Sequence, residues 1–169
     1  MQSFSRFFLA FALCAVVGLS ALSSTGCTRK NPGQIMRLYA EAPPGAIGVN
    51  NPIRTIRMPI TGNEYNIYSK PIAFEGDIID INLYRVELGY CIGMDISRKA
   101  ALRLTMINPG WRVFLLVNDQ AVGVRQFDTT SFEGRLYMFL EIPDDEMAAY
   151  VEKLRESCML VQELKKSQQ

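Results

Sequence analysis

Glu75-Gly76-Asp77-Ile78-Ile79-Asp80 gathers three carboxylates within six residues. Carboxylates so close can divide acid and base roles, or hold a hard cation such as calcium. A calcium loop needs more oxygen donors in a fixed order than this stretch provides. Two readings therefore stand: a carboxylate-based enzyme acting through Asp77 and Asp80, or a solvated turn leading into a strand, which is the simpler. The rest of the chain offers little further chemistry. It contains no histidine, so the commonest general base and the commonest metal ligand are missing together. Neither a Ser-His-Asp nor a Cys-His site can be assembled. Cys91 and Cys158 lie 67 positions apart and lack zinc-ligand spacing. No catalytic residue, metal or cofactor is expected, and the chain reads as a non-catalytic module. Arg37, Arg54, Arg57 and Arg125 could meet a carboxylate or phosphate, but single charges scattered along strand surfaces are ordinary.

The two downstream cysteines can also be read as a disulfide, which an oxidising compartment permits. Closing so long a loop would contribute about 4 kcal/mol on loop-entropy grounds. Against it, Cys158 sits on the apolar stripe of its helix, while Cys91 points away from Tyr90, Ile92 and Met94. If that row faces the helices, the thiols cannot meet and remain as two buried reduced cysteines.

The N-terminus says more about location. Residues 1–26 carry one charge, Arg6, followed by an uncharged run from Phe7 to Gly26. A basic start, an apolar middle and small residues at Ser24, Thr25 and Gly26 are the layout of a cleaved signal peptide. The strongly apolar part, Phe7 to Leu22, is short for the roughly 20 residues of a spanning helix. Cys27 follows directly. The stretch resembles the lipobox of bacterial lipoproteins, in which this cysteine becomes the acylated first residue of the mature chain. Its departure is Ser24 where the family usually has leucine. The resemblance implies cleavage after Gly26 and fatty chains, palmitate among them, on Cys27. It also implies attachment to the cell envelope. Thr28, which is not the aspartate that retains such proteins at the inner membrane, favours the outer membrane of a diderm host. Residues 27–33 then form a polar tether broken by Pro32-Gly33, reaching about 20 Å when extended. Removal of Arg6 brings the chain's formal charge of +1 to zero, so no electrostatic footprint for nucleic acid exists.

Residues 34–169 read as a single α+β domain, a two-layer sandwich of mostly antiparallel sheet with two helices, about 97–108 and 144–162, on one face. Ile35–Ala40, Ile53–Ile60 and Tyr65–Tyr68 are strand candidates. Asp77–Tyr84 is ambiguous between strand and short helix. Tyr90, Ile92, Met94 and Ile96 alternate as a strand. Ser97 can cap the next helix, and Pro109-Gly110 ends it. Trp111–Val117 and Ala121–Phe127 make a hairpin through Asn118-Asp119, residues that tolerate positive φ. Arg135–Ile142 is a further strand. Asp144, Asp145 and Glu146 oppose the dipole of the last helix, whose Met147, Tyr150, Val151, Leu154, Cys158 and Val161 form one apolar face.

Two of these strands are apolar on both sides. Phe114 and Leu116 sit opposite the Val113-Leu115-Val117 row, and Tyr137 and Phe139 sit opposite the Leu136-Met138-Leu140 row. A half-exposed antiparallel sheet should show a polar row. Either the β-rich first half covers this second face, which is the main expectation, or the face is a partner surface built from Phe114, Leu116, Tyr137 and Phe139.

From Gly89 to Ser157 the chain resembles the periplasmic domain of the SecD protein-export subunit. The likeness is carried by Ala101, Leu104 and Thr105 in the helix, the hairpin Gly110–Asp119, a glycine at Gly134 and the acidic helix start at Asp144 to Leu154. That family's proton-handling membrane helices have no counterpart here, so proton-driven export does not carry over. The resemblance implies a module that touches other envelope proteins or unfolded chains. The expected function is thus a lipid-anchored binding or structural module, with an accessory role in export or envelope assembly as one alternative and a carboxylate enzyme as another.

Overall fold

The computed structural model describes residues 33–46, 50–128 and 134–168. Among these residues eight strands and two α-helices, with a short 3-10 helix, follow in order: β1 Met36–Ala40, β2 Ile53–Arg57, β3 Glu64–Tyr68, the 3-10 helix Glu75–Asp77, β4 Ile78–Val86, β5 Gly89–Ile96, α1 Arg98–Leu104, β6 Arg112–Val117, β7 Gln120–Gln126, β8 Arg135–Leu140 and α2 Asp144–Lys166. Six strands form one antiparallel sheet in the order β1-β6-β7-β8-β5-β4, and β2-β3 is a separate hairpin. Both helices pack on one face, where Ala100, Leu104, Met147, Val151, Leu154 and Cys158 meet Ile81, Ile92, Met94, Leu115 and Met138. The architecture is the α+β sandwich expected.

Local chemistry explains each boundary. The β6–β7 turn is made by Asn118 (φ 49°) and Asp119 (φ 71°), both in the left-handed region that a tight hairpin requires. Ser97 Oγ accepts from the Ala100 amide at 3.2 Å and starts α1. That helix stops at Leu104, sooner than expected. Asn108 precedes Pro109 and is pushed out of the helical region, so Thr105 to Ile107 close as turns instead. The last helix runs further than expected, to Lys166. Its final turn is fastened by Gln162 to the Ile78 carbonyl at 2.7 Å and by Lys165 to the Gly76 carbonyl at 2.7 Å.

The ambiguous segment is a strand, β4. Its register against β5 slips between Ile78 and Asp80. This bulge puts an extra residue, Ile79, outside the core while Ile78 and Ile81 are both fully buried. Two core positions three apart imitate helical spacing, and the bulge is the reason.

The sheet is nearly divided along its middle. Strands β7 and β8 pair only at Gly123–Leu140 and Val124–Phe139. A Cβ on Gly123 would lie 2.8 Å from both Leu140 Cδ2 and Met138 Sδ, so glycine lets the two halves close at this seam.

Candidate functional site

Cross-strand pairing carries one row of side chains over all six strands on the face away from the helices. It runs Tyr39, Phe114, Val124, Phe139, Cys91, Tyr84. Chemically the row is apolar or aromatic from end to end, yet its two halves have different surroundings. On β1 and β6 it lies under the β2–β3 hairpin, whose Ile56, Met58 and Ile67 join Tyr39, Phe114, Leu116 and Ala121 in a second core. The Tyr65 ring sits 5.0 Å from that of Phe114, and Arg54 stacks 4.8 Å above the Tyr39 ring. On β8, β5 and β4 the row lies outside that second core, with Cys91 buried and Phe139 exposed. Phe114 is 0% exposed, whereas Tyr137 and Phe139 are 41% and 45% exposed.

The expectation that the first half of the chain covers this face therefore holds for half of the sheet. As a correction, Phe114 and Leu116 are core residues under the hairpin and not part of an accessible surface. Tyr137 and Phe139 remain accessible.

Around them is an open groove of about 500 Å³ lined by Val86, Cys91, Val124, Arg125, Gln126, Asp128, Tyr137, Met138 and Phe139. Beside the groove, the same face of the sheet is shaped by Gly93, which pairs with Tyr137. A Cβ there would come within 2.7 Å of Tyr84 and 3.1 Å of Tyr137. The two rings lean over the bare glycine and meet edge to face at 5.7 Å. Arg125 Nη1 donates to the Tyr137 carbonyl at 2.9 Å, which holds the guanidinium beside the rings. At one end, Arg135 pairs with Asp95 at 2.6 and 3.0 Å, holding the Asp95 carboxyl below its ordinary pKa. The open face is thus aromatic and apolar at its centre with the Arg135–Asp95 pair at its margin, the layout of a protein-binding patch.

Sequence reasoning missed Tyr84, Val86 and Val124 as members of this surface. A glycine inside a strand pattern, Gly93, marks a close approach of side chains and was the available signal.

The remaining candidates are dispersed. Cys91 and Cys158 are both free and buried. Cys158 belongs to the helix-side core and its thiol donates to the Ile78 carbonyl at 3.2 Å. Cys91 alternates with Ile92 and Met94 and so faces the other way. The sheet lies between them, and the disulfide is not formed. Burial, with Asp80 nearby, pushes the Cys158 thiol up to about 11, and burial also raises Cys91. Neither supplies a reactive thiolate.

The three carboxylates do not converge. Glu75 pairs with Arg37 at 3.3 Å. Asp80 accepts from Asn82 at 2.9 Å and lies 3.8 Å from Arg155. Asp77 accepts from Ser97 Oγ at 2.8 Å and the Phe74 amide at 3.2 Å, and is ion-paired with Arg103. Burial would raise the Asp77 carboxyl, but these donors outweigh it and hold it below its usual value. Each acid fastens a turn or a helix. Among the described residues, no group of three or more His, Cys, Asp or Glu is placed to hold a metal ion.

Another groove, of about 630 Å³, runs between β2, the β6–β7 turn and the start of α2. Its polar groups are largely engaged with one another. Arg54 grips Asp119 bidentately at 2.9 and 2.8 Å, and Glu141 accepts from the Ile60 and Thr61 amides and from Thr61 Oγ1. These contacts clamp the hairpin onto the sheet. Arg57, by contrast, is exposed at its rim.

Gly26, Cys27 and Thr28 lie outside the described residues. Among those described, no helix is long and apolar enough to cross a membrane.

No family model and no curated protein matches the chain. Solved structures do. A crystal structure of SecDF in its super-membrane-facing form superposes with a TM-score of 0.50 at 9% identity, over 75% of this chain and 19% of that one. A second SecDF structure, described as a membrane component that enhances protein export, gives a TM-score of 0.50 at 10% identity, over 94% of this chain and 70% of that one. The fold is thus SecD-like. At these identities the likeness extends to the fold alone, and the chain spans under a fifth of the first of these structures.

Proposed function

We propose that this is a non-catalytic, lipid-anchored module of the bacterial envelope whose working surface is the open half of the sheet, and that the surface takes a polypeptide partner. The observation that carries the reading is the exposure of Tyr137 and Phe139 at 41% and 45% on a face whose other half is a closed core. Aromatic groups on rigid strands make good interface anchors, since they bring large contact area with few rotamers to freeze. Support for a polypeptide partner in export or envelope assembly comes from the SecD-like fold, one of whose carriers is described as enhancing protein export. Support for the anchor comes from the signal-like residues 1–26 and the thiol of Cys27, and Thr28 favours the outer membrane. A nucleic-acid partner forms no part of the reading, since the charge is balanced. The non-catalytic reading rests on the carboxylates being engaged in structural contacts.

A photo-crosslinking residue at position 139, compared with one at Met106 (80% exposed, on the helix side), tests the surface in cells exporting a labelled secretory chain. Adducts with that chain from 139 and not from 106 are expected. Equal labelling from both, or none from 139, overturns the reading. Labelling with an alkynyl palmitate analogue tests the anchor: the wild type should incorporate it and Cys27→Ser should not.

A further inference from the structure

We infer that β4 is a docking edge, to which an extended segment of the partner polypeptide adds as a further strand; this rests on the polypeptide-binding reading above and specifies how the chain is held. The two edges of the six-stranded sheet are treated differently. On β1, the free side is already occupied: Leu38 N–H donates to the Ala73 carbonyl at 2.9 Å and the Ile72 N–H to the Leu38 carbonyl at 2.8 Å. On β4, pairing exists on one side only, with β5.

The hydrogen-bond phase identifies which groups are free. Ile96 N–H donates to the Gly134 carbonyl, on the β8 side. Alternation along β5 then sends the backbone of Asp95, Gly93 and Cys91 toward β4, where their partners are Asp80, Asn82 and Tyr84. The N–H and C=O groups of Ile81, Leu83 and Arg85 therefore point outward. The bulge end of this edge is closed, because Gln162 and the Cys158 thiol bond the Ile78 carbonyl. Past it, no described residue bonds the outward groups of Ile81, Leu83 and Arg85.

Such an edge is normally blunted by proline, charged side chains, a bulge or shortness, and here the bulge and Asp80 stand at one end, leaving Ile81 to Val86 with Arg85 as its one charge. β4 is nine residues long and contains neither proline nor lysine. Its alternating donors and acceptors fit one kind of occupant, an extended peptide backbone. The outer-face side chains of β4 include Tyr84, whose ring meets that of Tyr137, and the 41% exposed Val86, which lines the groove. An added strand would lie about 4.8 Å from β4 and set alternate apolar side chains against these two.

The test uses the full chain in detergent micelles and two capped peptides of about eight residues, one alternating valine and threonine, the other N-methylated at alternate positions. Amide exchange is read by NMR. The unmodified peptide should slow exchange at Ile81, Leu83 and Arg85 by about tenfold or more, and the N-methylated one should not. Equal binding of both peptides, or no protection at these amides, overturns the edge inference. In the first case, a loss of binding in a Tyr137→Ser/Phe139→Ser variant leaves the open-face reading standing; unchanged binding removes that as well. Protection without peptide that grows with protein concentration assigns the edge to a second copy and also overturns the inference.

Discussion

The two halves of the sheet share one row of apolar side chains and differ in what lies above it. Residues 52–73 do all the covering: they supply the hairpin over Tyr39, Phe114 and Leu116, and they bond the free edge of β1. The hairpin core does not extend to β4, β5 and β8, and past the bulge no described residue bonds the outer edge of β4. A row without polar residues is therefore not enough to infer burial. What decides it is whether the chain has a second layer to place there, and here the second layer has two strands to the first layer's six.

The largest effect should come from truncating the row on its covered side. Phe114→Ala leaves a cavity in a closed core and should destabilise by about 3–5 kcal/mol. Phe139→Ala, on the same row, should cost about 1 kcal/mol or less, since much of the ring already meets water. Urea unfolding of the two variants measures the contrast directly, and equal losses would break it.

Gly93→Ala should come next. Its methyl group would press on Tyr84 and Tyr137, side chains that can swing outward, so about 1–3 kcal/mol is expected. The rings should separate, and near-ultraviolet circular dichroism should change with them. A silent substitution would mean that the rings are already mobile.

The smallest effect concerns the clamp on the covered half. Asp119 is held below its ordinary pKa by its hydrogen bonds to Arg54. A carboxyl whose folded pKa is lowered contributes stability above its unfolded value, near about 4, and loses it as pH falls through the folded value. Asp119→Asn should therefore lower stability slightly at neutral pH, with the difference vanishing at acid pH, so that the acid limb of the stability curve is flatter. Asp119 is well exposed, so the change is small. A steeper acid limb in the variant would contradict the assignment.

Much of the fold was legible because its signals are local. Asn118-Asp119 announces a hairpin, Ser97 a helix start, and the α2 stripe a buried face. The β4 segment was ambiguous because a bulge at Ile79 breaks the two-residue alternation, a fact that depends on pairing with β5. The site was half legible. Tyr137 and Phe139 could be singled out as apolar residues on a face expected to be polar. Separating them from Phe114 and Leu116 required the placement of the β2–β3 hairpin, a contact across more than forty residues that no pattern in β6 or β8 encodes. The same holds for the cysteines, whose separation follows from which face of β5 meets the helices.

The most direct test of the account is a titration of the full chain in micelles with a permanently unfolded protein, such as reduced and carboxymethylated α-lactalbumin, with Tyr137→Ser/Phe139→Ser beside the wild type. Binding by the wild type, weakened about tenfold or more in a variant that unfolds at nearly the same urea concentration, is the predicted result. Equal binding by both proteins, or none by the wild type, would contradict the claim that the open half of the sheet is where this protein works.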